Sequence, residues 1–270
     1  MNFRSIQSRI ASALAAAGIL ALAGAGPAFA ATPATPATPP AQIQNVTAVL
    51  VHGAWADGSG WEKVTPILQA RGINVVAVQL HLTTLTEDAS IVRRALEGRS
   101  DKILLVGHSY GGAVITEAGT DPKVKALVYV AAFAPGDGES VNDLVSPYPA
   151  APWTAGLVPD SAGYLKLDTP TYQNYFASDL PKRQSAILAA SQGATSQSVL
   201  VGKVTTAAWK SKPSYWALSG SDQIIPARFQ QAEAARIGAR VSTIANGGHT
   251  EMLSHPQEVA NVILDAAAQL

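Results

Sequence analysis

The run Lys102-Ile103-Leu104-Leu105-Val106 leads directly into Gly107-His108-Ser109-Tyr110-Gly111-Gly112, and the small-residue stretch Ala113-Val114-Ile115-Thr116-Glu117-Ala118-Gly119 follows. An apolar run, a glycine-flanked serine and a helix-compatible stretch read as strand, tight turn and helix. A serine at the apex of such a turn adopts a strained backbone conformation, so residues two to either side must be small. Gly107 and Gly111 meet that requirement. The turn lifts the Ser109 hydroxyl clear of the strand and sets it beside a helix N-terminus, where backbone N–H groups favour developing negative charge. The pattern G-x-S-x-G is weak alone, and its place between strand and helix is what gives it meaning.

The chain has 270 residues, 47% of them hydrophobic. That suffices for one domain with a large core, or one domain plus an insertion. The 19 basic residues balance 19 acidic ones, so no overall field points to nucleic acid or an anionic membrane. The absence of cysteine excludes cysteine nucleophiles, thiolate zinc sites and Fe–S clusters. Arg4 and Arg9 precede the uncharged apolar segment Ala11 to Gly26, and Pro27-Ala28-Phe29-Ala30 offers an A-x-A cleavage site. Residues 1–30 therefore read as a secretory signal peptide, which places the mature protein in the periplasm or outside the cell without a stable membrane anchor. Residues 31–43, opening ATPATPATPP, form a Pro/Thr/Ala-rich linker. The domain then runs over residues 44–270.

Short runs of apolar or β-branched residues at Val46–Val51, Ile73–Val78, Lys102–Val106, Val124–Phe133, Ser214–Leu218 and Arg240–Ile244 read as six strands. Helices are expected between them: about Trp61 to Arg71, behind the capping box Thr84-x-x-Glu87, after the elbow, from Pro226 to Ile237, and after Ser254-x-x-Gln257. The alternation predicts an α/β fold with a mostly parallel six-stranded sheet and helices on both faces. The rhythm breaks over about residues 135–212, which are rich in Pro, Ser, Gly, Thr and aromatics, with a helix near Pro181 to Gln192. A departure this long is read as a helical cap inserted after the fourth strand.

Ligands of an open parallel sheet lie beyond the carboxyl ends of the strands, so the serine's partners should come from loops there. Of five histidines, His249 sits in the glycine-flanked loop after the sixth strand and is the candidate base. His52 reads as a structural part of the H-G turn, His81 as surface or structural, His108 as pointing away from Ser109, and His255 as exposed. Asp222, after the fifth strand, is the candidate acid, with Asp137 as its competitor. Serine, acid, histidine is the chain order that follows a nucleophile elbow. Two backbone N–H groups must face the oxyanion. Tyr110 supplies one and Ala54 the other, with Trp55 next in line. Trp55 and Trp153 are the candidate substrate-contacting aromatics. This chemistry requires no metal and no organic cofactor.

The segments V-L-V-H-G-A-W at 49–55, G-H-S-Y-G-G at 107–112, S-G-S-D-Q-I-I-P at 219–226 and G-G-H-T-E-M-L at 247–253 resemble the α/β-hydrolase superfamily. With the leader removed, the strand before H-G comes almost first, which leaves no room for a leading antiparallel hairpin. The compact form resembles the plant methylesterase and hydroxynitrile-lyase branch and its bacterial esterase relatives. The resemblance implies a triad of Ser109, Asp222 and His249. In that branch the lyases carry a lysine directly after the histidine. Thr250 stands there in this chain, which favours ester hydrolysis over cyanohydrin cleavage. The expected function is a secreted serine hydrolase acting on a small or medium carboxylic ester. The competing readings are a cofactor-free lyase or haloperoxidase-like enzyme, and a ligand-binding protein with slow turnover.

Overall fold

The computed structural model describes residues 42–270. The expected signal peptide and nearly all of the expected linker lie outside the described residues. At the linker's end, Gln42 Nε2 donates to Ala70 O at 3.2 Å and Ile43 N to Arg71 O at 2.8 Å.

The chain alternates as its apolar runs require. Strand β1 (Val46–Val51) is followed by a 3-10 turn (Gly58–Trp61), helix α1 (Val64–Gln69), β2 (Asn74–Ala77), α2 (Leu85–Ala95), β3 (Lys102–His108), α3 (Tyr110–Ala118) and β4 (Val124–Val130). The first helix is shorter than expected, because Asp57 caps a separate 3-10 turn ahead of it through Ser59 N. The fourth strand ends at Val130 rather than Phe133, where Ala131 turns to φ 43°. Thr84 caps α2 by accepting from Glu87 N at 3.2 Å, whereas the Glu87 carboxylate turns to Thr83 and His81 instead of closing the box.

The inserted cap is mixed rather than wholly helical. It contains α4 (Val141–Val145), β5 (Leu157–Pro159), β6 (Tyr164–Leu167), α5 (Thr169–Thr171) running into a π-turn (Tyr172–Phe176), α6 (Lys182–Ser191), β7 (Thr195–Ser196) and α7 (Ser198–Val201). Its three strands pair antiparallel in the order β5-β6-β7. The main sheet resumes with β8 (Ser214–Ser219), α8 (Ala227–Arg236) and β9 (Arg240–Ile244), and the described chain closes with α9 (Glu251–Ser254) and α10 (Pro256–Ala267). Ser254 does not cap α10. His255 breaks the two helices at φ −128°, ψ 51°, and Pro256 opens the second. The Ser254 hydroxyl is engaged elsewhere, by Asp179. Among the described residues no helix is long and apolar enough to cross a membrane.

The six main strands order as β2-β1-β3-β4-β8-β9, every pair parallel. The interior strands β1, β3, β4 and β8 are buried almost throughout, while β2 has no fully buried residue and β9 exposes all but Ile244. Burial on both faces demands the unbroken apolar runs of the interior strands. Edge strands tolerate the polar residues of Asn74 and Arg240–Thr243. The strand order reverses direction between β1 and β3, and a crevice at such a switch point, beyond the carboxyl ends, is where ligands of these sheets bind.

Candidate active site

Ser109 stands at that crevice, on the turn from β3 into α3, with φ 53° and ψ −123°. A non-glycine residue there is strained by about 1–3 kcal/mol and is held by its surroundings. Ser109 N donates to Val130 O at 3.2 Å, and Ser109 O accepts from Gly112 N at 3.0 Å and Phe133 N at 3.2 Å. The loop after β1 presses against the same turn. A Cβ on Gly111 would lie 2.6 Å from Val51 O, and one on Gly53 would lie 2.7 Å from Ser109 Cβ. Only glycine permits these backbone approaches.

The three residues singled out for the triad meet in one chain of hydrogen bonds. His249 Nε2 lies 3.1 Å from Ser109 Oγ, and His249 Nδ1 lies 2.9 Å from Asp222 Oδ2. Asp222 is an acceptor on every side. Its Oδ1 takes Ile224 N at 2.7 Å and Ile225 N at 2.9 Å, and its Oδ2 also takes Gln230 Nε2 at 3.0 Å. An acceptor-only carboxylate beside Nδ1 requires the proton on that nitrogen, which leaves Nε2 free to accept from Ser109. Asp137 is no part of this constellation. It binds Lys210 Nζ at 2.7 Å and Ala207 N at 2.6 Å at the surface, and the Lys210 ammonium holds its carboxyl below the usual range.

Ala54 and Tyr110 present backbone N–H groups that donate to no acceptor among the described residues. Trp55 N is excluded from that role, because it donates to Thr195 Oγ1 at 3.0 Å. Tyr110 is fixed by its own hydroxyl, which donates to the buried Asp88 carboxylate at 3.0 Å. Burial and that neighbouring carboxylate raise the phenol's pKa far beyond its ordinary value, so it stays a neutral donor. Trp55 and Trp153 meet edge to face at 5.8 Å above the site, and Trp55 meets Phe176 at 6.3 Å. Trp153 Nε1 donates to Ile224 O, two residues past Asp222.

The other histidines hold varied posts. His52 donates from Nδ1 to Gly53 O at 2.8 Å and accepts Leu80 N on Nε2 at 2.9 Å. Burial lowers its pKa, and it ties the β1 loop to the chain beyond β2. His81 is exposed and pairs with Glu87. His255 is half-buried rather than exposed, with Nδ1 2.8 Å from Ser254 Oγ. His108 packs ring to ring against His249 at 4.7 Å and donates from Nε2 to His249 O at 2.7 Å. Burial, then the adjacent His249, hold its pKa well below the usual value, so it supports the His249 backbone as a neutral ring.

Sequence reasoning passed over three supporting residues. Gln230 is a buried polar side chain on the inner face of α8. It donates to Asp222 Oδ2 and to Ile225 O at 2.7 Å, and accepts Ser219 N at 3.2 Å. The same face also buries Glu233 beside Phe229 and Ala234, so no clean apolar stripe singled the glutamine out in the sequence. His108 was visible as a neighbour of Ser109 but its bond to His249 was not. Asp179, from the cap, reaches the His249 loop across about seventy residues of chain, and no local pattern marks it.

Residues 48–262 match the alpha/beta hydrolase family. A carbendazim hydrolyzing esterase of Nocardioides sp. (strain SG-4G) is 37% identical in an alignment of 111 positions that covers 36% of this chain and 46% of that protein. Methylesterase 7 of Arabidopsis thaliana is 27% identical over 246 residues, covering 81% of this chain and 93% of that protein. The crystal structure of polyneuridine aldehyde esterase shares the fold with a TM-score of 0.72 at 21% identity, covering 81% of this chain and 98% of that one. The matched region contains the elbow, the acid loop and the histidine loop, and the chain belongs to the alpha/beta hydrolase family.

Proposed function

We propose that the protein is a serine hydrolase that cleaves a small or medium carboxylic ester through an acyl-enzyme on Ser109. One observation carries the reading: the continuous bond chain Ser109 Oγ, His249 Nε2, His249 Nδ1, Asp222 Oδ2, built at the carboxyl ends of three parallel strands. In this mechanism His249 Nε2 takes the Ser109 proton as Oγ attacks the ester carbonyl carbon. The carbonyl oxygen becomes an oxyanion and accepts from the Ala54 and Tyr110 amides, which donate to no other acceptor among the described residues. Asp222 stabilises the imidazolium without taking its proton. The tetrahedral intermediate collapses as His249 returns the proton to the leaving alkoxide. Water, deprotonated by the same nitrogen, then releases the acid and restores Ser109.

The esterase and methylesterase names among the relatives support an ester substrate. The aromatic roof of Trp55, Trp153 and Phe176 suits an apolar portion of it. Thr250, in the position where lyases of the resembling branch place a lysine, donates its hydroxyl to Asp179 and brings no cation to the site. The test is hydrolysis of graded p-nitrophenyl esters with Ser109→Ala alongside. Turnover that falls by at least about 10³-fold in the variant is expected. Undiminished turnover by Ser109→Ala would remove the mechanism.

A further inference from the structure

The cap touches the triad at a point that the hydrolase mechanism does not call on. Asp179 lies just beyond the π-turn that contains Phe176, and its carboxylate reaches down to the loop bearing His249. Asp179 Oδ2 accepts Gly248 N at 3.2 Å and Ser254 Oγ at 2.6 Å, while Oδ1 accepts Thr250 Oγ1 at 2.6 Å. Gly248 and Thr250 are the two chain neighbours of His249. The fit at Gly248 is close: a Cβ there would fall 2.7 Å from Asp179 Cβ and 2.6 Å from Cγ. The ring of Phe176 meets the His249 ring edge to face at 4.9 Å. One short cap segment therefore holds both the backbone on either side of the imidazole and the imidazole itself.

We propose that Asp179 is a positioning residue that fixes His249 in line with Ser109 and makes formation of a competent triad depend on the seated cap. The proposal rests on the serine-hydrolase reading for its kinetic consequences. Asp222 and Ser109 define where the two ring nitrogens point, but neither constrains the backbone that carries the ring. That backbone sits in a glycine-flanked loop, Gly247-Gly248-His249, which is free to pivot unless held. It is held from the core side by His108 Nε2 on His249 O, by Ser219 Oγ on Gly248 O at 2.9 Å, and from the cap side by Asp179 alone among the described polar contacts to Gly248, Thr250 and Ser254. Charge-assisted hydrogen bonds to a carboxylate are the strong and directional kind. Three of them converging on one loop lock it as a unit. A shift of the imidazole by about 1 Å costs on the order of 10²-fold in rate.

The experiment compares the full-length wild type with Asp179→Ala, Asp179→Asn, the double variant Thr250→Val/Ser254→Ala, and Ser109→Ala. Steady-state kinetics on the best p-nitrophenyl ester are read together with the downfield proton resonance of His249 Nδ1–H. Asp179→Ala is expected to lower kcat by about 10²-fold with little change in KM, to move the acidic limb of the kcat/KM pH profile, and to broaden or shift that resonance. Asp179→Asn keeps an acceptor oxygen and should recover part of the loss. Thr250→Val/Ser254→Ala leaves the carboxylate on Gly248 N and should fall between wild type and Asp179→Ala, which gives a decisive readout even where Asp179→Ala does not fold. A wild-type kcat, pH profile and imidazole resonance in Asp179→Ala, or in the double variant, would overturn the proposal. Ser109→Ala separates the two claims: activity retained there refutes the serine mechanism, while the His249 resonance still reports on Asp179.

Discussion

Replacing Gly53 by alanine tests whether the β1 loop and the nucleophile turn form one unit. The added Cβ would lie 2.7 Å from Ser109 Cβ, 3.0 Å from His108 O and 3.2 Å from His108 Nδ1. Carbon atoms in contact prefer about 3.5–4.0 Å, so the new methyl is about 0.8 Å or more too close to Ser109. Ser109 cannot retreat, because its N and O are committed to Val130, Gly112 and Phe133. His108 cannot retreat either, since its ring is pinned to His249 O. The β1 loop must move, and it takes the Ala54 amide with it. Withdrawing one oxyanion donor costs about 10²–10³-fold in kcat, while overpacking of this size costs about 1–3 kcal/mol of stability. The assay is kcat and KM on p-nitrophenyl esters, with urea unfolding in parallel. We expect kcat to fall by about 10²-fold, KM to stay nearly level, and the variant to remain folded. A folded Gly53→Ala enzyme with kcat within about threefold of wild type, less than 1 kcal/mol of barrier, would refute the assigned oxyanion geometry.

Two further substitutions probe the acid and the layer beneath it. Asp222→Asn places an amide where the carboxylate accepts four donors. With its oxygen kept on the Ile224 and Ile225 N–H groups, its NH₂ turns to His249 Nδ1 and Gln230 Nε2, and His249 loses the tautomer it needs. A fall in kcat of about 10⁴-fold is expected, and a loss under tenfold in steady-state assays would count against Asp222 as the acid. Glu251 is buried two residues after His249, and burial, aided by the negative charges of Asp222, Asp179 and Glu258, raises its pKa well above the usual carboxylate value. An acid whose folded pKa is raised contributes its full stability only below the unfolded value of about 4.3, and loses it as pH climbs toward the folded value. Glu251→Gln removes that dependence. Its Tm relative to wild type should therefore rise between pH 4 and pH 8, and a Tm difference independent of pH would show that Glu251 does not hold a proton in the folded state.

Much of the scaffold could be read directly because burial on two faces permits so few residue types. Val46–Val51 and Ile103–Val106 contain almost nothing polar, and they became interior strands. The edges blurred, since exposed residues such as Asn74 carry no such restriction, and the second strand came out shorter than expected. Ser109, Asp222 and His249 were legible because each follows a recognisable strand and the sheet gathers their loops at one end. The cap was legible only as an interruption. Its strands are two to four residues long, and β5 ends in a proline, so they show no period. Ser254 was misread as a helix cap for an instructive reason. Its spacing to Gln257 satisfies the local rule, but a carboxylate seventy-five positions away in sequence claims the hydroxyl first. Local signals fail where a tertiary partner offers the better bond.

The cap's grip on two separate loops sets what kind of cap it is. Trp55, beside the Ala54 amide, has its N–H on Thr195 Oγ1, its indole N–H on Leu165 O at 3.0 Å, and its carbonyl on the Tyr172 hydroxyl at 3.3 Å. All three partners belong to the cap, and they hold Trp55 at φ 56°, a conformation costly to a bulky side chain unless surrounding contacts impose it. Asp179 and Phe176, also in the cap, hold the His249 loop. Ser109 beneath is only 5% exposed and His249 not at all, so in the proposed mechanism the ester must reach a serine that these groups cover. A cap that merely covered the entrance would change KM when loosened and leave kcat alone. A cap that braces the oxyanion loop with one set of bonds and the base with another cannot be loosened without disturbing both, so substitutions at Thr195, Tyr172 or Asp179 should register in kcat. Under the proposed mechanism, binding energy from contacts between the ester and the cap would be spent on aligning the groups that react with it.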